Sequence, residues 1–175
     1  MGGLGFARWA FEVAAQENEM GVFFDVVIVC AVTGSTMAGI VAGFKLLETW
    51  PDQKKRKVIG IDASARPEET HATVLELTRQ TADKIGLGRA AIKSEDVILD
   101  GRYHAGCYGI PDQQTLEAMR YGARMEGFIT DPVYEGKSLA GMLEMARNGE
   151  FDEGSNILYA HLGGQLALNS YAGVL

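Results

Sequence analysis

Val26-Val27-Ile28-Val29-Cys30-Ala31-Val32 runs without a polar break into Thr33-Gly34-Ser35-Thr36, and Met37 to Phe44 then supplies the small, apolar residues of a helix. The continuous β-branched run predicts a strand buried on both faces, as in a parallel sheet. The turn after it joins a glycine to three hydroxyl residues where a helix begins. The first N–H groups of a helix have no intrahelical acceptor and the dipole there is positive, so the junction reads as an anion cradle. The same residues also make a well-capped helix with no ligand, and the segment alone does not separate the two readings. No Gly-Lys-Ser/Thr follows at P-loop spacing and no G-x-G-x-x-G follows the strand, which favours a phosphorylated cofactor or metabolite over a nucleotide.

Working outward, Val58 to Asp62 is a second apolar strand, separated from the first by a helix from Thr36 to about Trp50, and this β-α-β order implies a parallel sheet. Upstream, Phe6, Trp9, Ala10, Val13 and Ala14 fall at helical spacing over Gly5 to Glu19, with Gly21 as a C-cap. Downstream, Pro67 opens a helix to about Ile85 with Glu68 and Glu69 near its positive end, and Ile98-Leu99 is a brief edge strand. Asp112 caps a helix through about Arg124, another runs from about Ser138 to Asn148, and Ile157 to His161 is a last strand. The fold class is α/β: a mainly parallel, open, twisted sheet with flanking helices. Three loops are expected at the carboxyl ends of strands, where open α/β sheets bind ligands: Thr33 to Thr36, Tyr134 to Ser138 and Leu162 to Gly164. The irregular stretch from Gly101 to Pro111 gathers Tyr103, His104, Cys107 and Tyr108, a composition typical of loops that border a site.

With 175 residues, 47% of them hydrophobic, the chain suits one domain with a real core. A net charge of −7 without a basic cluster argues against nucleic acid as a partner. The one basic run, Lys54-Lys55-Arg56-Lys57, reads as a solvated loop. Cys30 and Cys107 have no reason to pair, and a reducing cytoplasm fits. The apolar stretch from Val22 to Phe44 is broken by Asp25 and by the hydroxyl turn, so no membrane span is expected, and the first residues are not those of a secretory signal.

Five segments carry a resemblance when taken in order: Gly2-Gly3-Leu4-Gly5-Phe6, Val32-Thr33-Gly34-Ser35-Thr36, Val58-Ile59-Gly60-Ile61-Asp62-Ala63-Ser64-Ala65, Asp131-Pro132-Val133-Tyr134-Glu135-Gly136-Lys137-Ser138 and Tyr159-Ala160-His161-Leu162-Gly163-Gly164. Together they resemble the 1-aminocyclopropane-1-carboxylate deaminases over essentially the whole chain. The resemblance implies part of the large domain of a fold-type II pyridoxal-phosphate enzyme, which opens a cyclopropane amino acid to 2-oxobutanoate and ammonia. It also implies a small-molecule amino acid substrate and a homo-oligomer. By that resemblance Thr33, Gly34, Ser35 and Thr36 hold the cofactor phosphate, in agreement with the anion cradle. Glu135 faces the pyridine nitrogen, where a carboxylate favours the protonated, more electron-withdrawing ring. Tyr134 is the candidate nucleophile or acid/base, with Tyr108 beside it, and Tyr134 would need a nearby positive charge or a hydrogen bond to its phenolate to act as a base. Relatives that act on D-cysteine carry a small hydroxyl residue where this chain has Glu135 and threonine where it has Leu162, so both residues lean towards the deaminase. A D-cysteine desulfhydrase is the alternative activity, and a non-catalytic remnant acting through association is the alternative of another class.

Members of that family are about twice as long, and the half expected before Met1 supplies their Schiff-base lysine. Residues 1–175 therefore read as the carboxyl-terminal part of the cofactor-binding domain, expected to be inactive alone, as though translation or gene prediction began internally. Lys137 is the only lysine near the proposed site in sequence and is not the family's imine-forming residue. His161 reads as a hydrogen-bonded structural histidine, His104 with Cys107 lacks the ligands of a zinc site, and Cys107 has no adjacent base.

Overall fold

A computed structural model describes residues 2–173. The chain runs α1 (Gly2–Met20), β1 (Val26–Ala31), α2 (Ser35–Leu47), β2 (Lys57–Asp62), α3 (Pro67–Lys84), β3 (Ile98–Asp100), α4 (Gln113–Glu126), α5 (Glu135–Arg147) and β4 (Ile157–Tyr159), with short 3-10 turns at Arg89–Ala91, Ser94–Asp96 and Gln165–Tyr171. The four strands form one parallel sheet in the order β3-β2-β1-β4. In register, Val26 to Ala31 pair with Lys57 to Asp62 on one side, and Val26 to Ile28 with Ile157 to Tyr159 on the other. The expected α/β class and the brief edge strand at Ile98-Leu99 are both present.

The alternation of β1 explains its uniformly apolar sequence. Val27, Val29 and Ala31 pack with Met37, Ile40, Phe44 and Val74 on the α1–α2–α3 side. Val26 and Ile28 pack with Ile59, Ile61, Tyr103 and Met145 on the α5 side. Helices α1 and α2 meet at backbone distance, since a Cβ on Gly39 would lie 2.2 Å from the Gly3 carbonyl oxygen. That contact brings the start of α1 alongside the start of α2, where a Cβ on Gly2 would lie 3.3 Å from Ser35 Oγ.

Three sequence expectations need correction. The segment Tyr134 to Ser138 is not a loop after a strand: residues 127–134 form a connection and α5 begins at Glu135, three residues before the expected Ser138. Its early start has a cause in Asp131, whose carboxylate accepts the first N–H groups. Strand β4 stops at Tyr159 rather than His161. The basic run is only partly solvated, because the Arg56 side chain is 3% exposed and pairs with Glu17 at 2.6 Å. Its guanidinium lies between the Phe23 and Phe44 rings, 4.5 and 4.2 Å from their centroids. Among the described residues no helix is long and apolar enough to cross a membrane.

Candidate active site

The chain leaves β1 towards β2 and β3 and returns to the other side of β1 with β4, so the sheet has its topological switch point between β1 and β4. Ligand crevices open beyond the carboxyl ends of strands at such points. Here a pocket of about 290 Å³ is lined by Thr33, Gly34 and Thr36 on one side and by Tyr108, Tyr134, Glu135 and Leu162 on the other. Cys30, Val32 and Met37 complete it.

The turn after β1 has its backbone donors free for an anion. Gly34 is the N-cap of α2 with φ +82°, and no side chain among the described residues caps the helix. The first bond of α2 is Ala38 N–H to the Gly34 carbonyl at 2.9 Å, which leaves the N–H groups of Ser35, Thr36 and Met37 ahead of it without intrahelical acceptors. The capped-helix reading is therefore not what forms. A side chain at Gly34 would need positive φ and would also bring its Cβ to 2.9 Å from Val74 Cγ2. Ser35 alone of the four turns away: it lines a separate small cleft with Gly2, Gly3 and Thr81.

Across the pocket, the start of α5 is built on Asp131, which is fully buried. Its Oδ1 accepts Val133 N–H and Tyr134 N–H, both at 2.8 Å, and its Oδ2 accepts Glu135 N–H at 3.0 Å. Glu135 is itself buried, and its Oε2 accepts the Tyr159 hydroxyl at 3.0 Å while Oε1 accepts Leu162 N–H at 3.4 Å. Burial pushes the Glu135 carboxyl above the ordinary carboxylate range, and the Tyr159 hydroxyl and the nearby His161 pull it partly back. His161 Nδ1 lies 3.5 Å from Glu135 Oε2 and makes no hydrogen bond there, and its ring stacks on Tyr159. The ring edge is otherwise met by Gln165 Nε2, 3.1 Å from His161 Nε2.

Tyr134 and Tyr108 are hydroxyl to hydroxyl, with their rings edge-on at 6.1 Å between centroids. The hydrogen bond shared with Tyr108, then burial, pushes the Tyr134 phenol up to about 12. Tyr108 belongs to the irregular loop before α4 and is half exposed. That loop is gripped from below by Lys137, which is fully buried and donates to the carbonyl oxygens of His104 at 2.8 Å and Cys107 at 2.9 Å. Burial pushes the Lys137 ammonium below its ordinary value. Lys137 does not line the pocket, and no lysine among the described residues does. Cys30 and Cys107 are both free thiols.

The pocket thus joins seven of the eight residues that the sequence nominated, Ser35 contributing only its place in the turn. Asp131, Tyr159 and Lys137 were not foreseen as parts of the site. Asp131 had a signal, an acidic residue followed by proline just ahead of a helix, which is a start pattern. Tyr159 and Lys137 had none, because both act through contacts between segments distant in sequence.

Comparison with known proteins agrees with this geometry. The pattern of the family described as pyridoxal-phosphate dependent enzyme matches residues 2–163. A probable 1-aminocyclopropane-1-carboxylate deaminase of Cryptococcus neoformans is 57% identical over 172 residues, covering 98% of this chain and 48% of the relative. A 1-aminocyclopropane-1-carboxylate deaminase of Pseudomonas syringae pv. syringae is 57% identical over 171 residues, 98% of this chain and 49% of its own. The chain spans about half the length of the curated relatives it matches. A crystal structure of an ACC deaminase homologue superposes with a TM-score of 0.80 at 28% identity, over 99% of this chain and 50% of the other. With the family pattern running through the uncapped turn, the tyrosine pair and the last strand alike, the chain belongs to the pyridoxal-phosphate dependent enzymes.

Proposed function

We propose that residues 1–175 form the carboxyl-terminal part of the cofactor-binding domain of a 1-aminocyclopropane-1-carboxylate deaminase. The observation that carries the reading is the shared pocket: Thr33, Gly34 and Thr36 meet Tyr134 and Glu135 there, although about a hundred residues separate the two segments. The donor set suits pyridoxal phosphate, with an uncapped helix start at one end and a buried carboxylate at the other. When bound, the cofactor supplies an electron-withdrawing ring that stabilises negative charge developing on a substrate carbon.

The first turn of α2 binds the phosphate through its N–H groups, with Thr33 and Thr36 hydroxyls beside them. Glu135 holds a proton at the pyridine nitrogen. Desolvation makes its charge costly when alone, so a protonated ring is a partner that relieves that cost. Tyr159 and Leu162 N–H fix the direction of the carboxylate. At neutral pH the Tyr134 hydroxyl keeps its proton, since its phenol is pushed up to about 12. That supports a proton-donating role at the substrate over attack by a phenolate. Leu162 gives the pocket an apolar wall that suits the methylenes of a cyclopropane substrate, and the discrimination from one such contact is worth about 1–3 kcal/mol. The imine-forming lysine comes from outside these residues.

The test is a titration of the purified chain with pyridoxal phosphate and, in parallel, with pyridoxal. Binding through the helix start requires that the phosphate ester bind at least roughly tenfold more tightly, as expected for several charge-assisted bonds. Borohydride reduction is expected to label no lysine, and turnover of 1-aminocyclopropane-1-carboxylate is expected only from the protein at the length of its relatives. Equal affinity for the two compounds would overturn the reading.

A further inference from the structure

We propose that Lys137 is a positioning residue: its buried ammonium straps the loop of residues 104–108 to the start of α5 and thereby sets Tyr108 against Tyr134. The significance of Tyr108 rests on the cofactor-site reading, whereas the strap itself does not.

Lys137 occupies a position that elementary electrostatics disfavours. It is fully buried, and it sits in the first turn of α5, where the helix dipole repels a cation. Its hydrogen-bond partners are neutral carbonyls, and Asp112 and Asp62 act on it through space without bonding to it. A methionine would fill the same volume without the desolvation cost, so packing alone does not explain an ammonium here. What the ammonium does is converge two carbonyls three residues apart.

Those carbonyls belong to a tight, irregular turn. Ala105 has φ +60°, uncommon for a residue with a Cβ, and Gly106 and Gly109 have φ +75° and +76°. The loop's internal bonds among the described residues are few: Gly106 N–H to His104 Nδ1 at 2.8 Å, Ile110 N–H to the Cys107 carbonyl at 3.4 Å, and a weak Cys107 Sγ contact to the Tyr108 carbonyl at 3.6 Å. The strongest anchors reach it from elsewhere, Lys137 at residues 104 and 107, and Tyr171, whose hydroxyl donates to the Gly109 carbonyl at 2.5 Å. Tyr108 follows Cys107 directly, and Tyr134 precedes Lys137 by three residues, one turn of the same helix start. One turn of α5 thus grips the loop at two points, by the ammonium beneath and by the tyrosine hydroxyl at the pocket.

The order of dependence makes the proposal testable. If Lys137 sets the loop and the loop sets Tyr108, removing the Tyr108 hydroxyl leaves the loop ordered, while removing the ammonium frees it. Amide hydrogen exchange of residues 101–111 is measured in the unmodified chain, in Lys137→Met and in Tyr108→Phe, with the amides of β1 and α2 as a folding control. Lys137→Met is expected to speed exchange in the loop by about tenfold with the control amides unchanged, and Tyr108→Phe to stay within roughly twofold of the unmodified chain. Unchanged loop exchange in Lys137→Met, or a loss of protection in Tyr108→Phe, overturns the strap. Should Lys137→Met fail to fold, the half-exposed Tyr108→Phe decides alone. Pyridoxal phosphate affinity is the second readout: Tyr108→Phe weakens it in the unmodified chain and adds nothing in the Lys137→Met background. Additive losses overturn the coupling, and absence of binding in the unmodified chain strikes the cofactor reading while leaving the exchange result to judge the strap.

Discussion

Gly164 and Asp131 touch: a Cβ on Gly164, which has φ +88°, would lie 2.0 Å from Asp131 Oδ2. The carboxylate that caps α5 is therefore packed under the turn after β4, and the two pocket walls are one unit. Asp131→Ala removes three charge-assisted acceptor contacts and is expected to cost about 2–4 kcal/mol of unfolding free energy. Gly164→Ala displaces the same carboxylate and adds backbone strain, so its cost is expected to be similar. Urea unfolding of the two single variants and the double variant checks this, the double being clearly less costly than the sum.

Glu135 carries a pH signature. Its carboxyl is raised in the folded chain by burial, so the folded state holds that proton more firmly than the unfolded state. The resulting stability is present at low pH and is lost as pH rises through the folded value. Glu135→Gln keeps an acceptor for the Tyr159 hydroxyl and removes the charge. It is expected to raise the melting temperature of the cofactor-free chain at pH 7–8 and to lose that advantage below about pH 4, near the unperturbed carboxylate range. Melting curves across that window decide it. The same variant is expected to weaken pyridoxal phosphate binding.

Leu162→Thr tests specificity without disturbing the carboxylate, because Leu162 meets Glu135 through its backbone N–H. In the protein at the length of its relatives, the ratio of kcat/KM for 1-aminocyclopropane-1-carboxylate to that for D-cysteine is expected to fall by about 10–200-fold, the range of one apolar contact. An unchanged ratio removes Leu162 from the specificity argument.

The Arg56–Glu17 pair predicts a stability effect far from the pocket. Arg56→Met leaves Glu17 buried without its cation, its carboxylate's other polar contact among the described residues being Phe24 N–H at 2.7 Å, and is expected to cost about 3–5 kcal/mol. Adding Glu17→Gln is expected to recover a large part of that loss in denaturant unfolding.

The strands, the helix order and the hydroxyl turn were legible because they rest on local periodicity and on residue types with fixed local roles. The departures have a common origin in tertiary contacts. Arg56 lies in a run of four basic residues, and only the placement of Phe23, Phe44 and Glu17 takes it out of water. Lys137 looks like any lysine near a helix start until the loop carbonyls are brought beneath it. Ser35 is the instructive exception: as the first residue of α2 it is rotated by about 100° from Thr36, which turns it towards the cleft with Gly2, Gly3 and Thr81. The early start of α5 was likewise encoded by Asp131-Pro132, since Asp131 accepts the N–H groups of Val133, Tyr134 and Glu135.

The pairing of Val26 with Ile157 joins residues 131 positions apart, and β4 is the last of the four described strands in chain order. Residues that wall the pocket, Leu162 among them, arrive only with that strand. Non-local pairings carry the largest closure cost, so the crevice is expected to form late in folding, after β1, β2 and β3 have associated. Cofactor added to a refolding chain should therefore leave the early phases untouched and report only the closing event, which makes coenzyme fluorescence a selective clock for the final step.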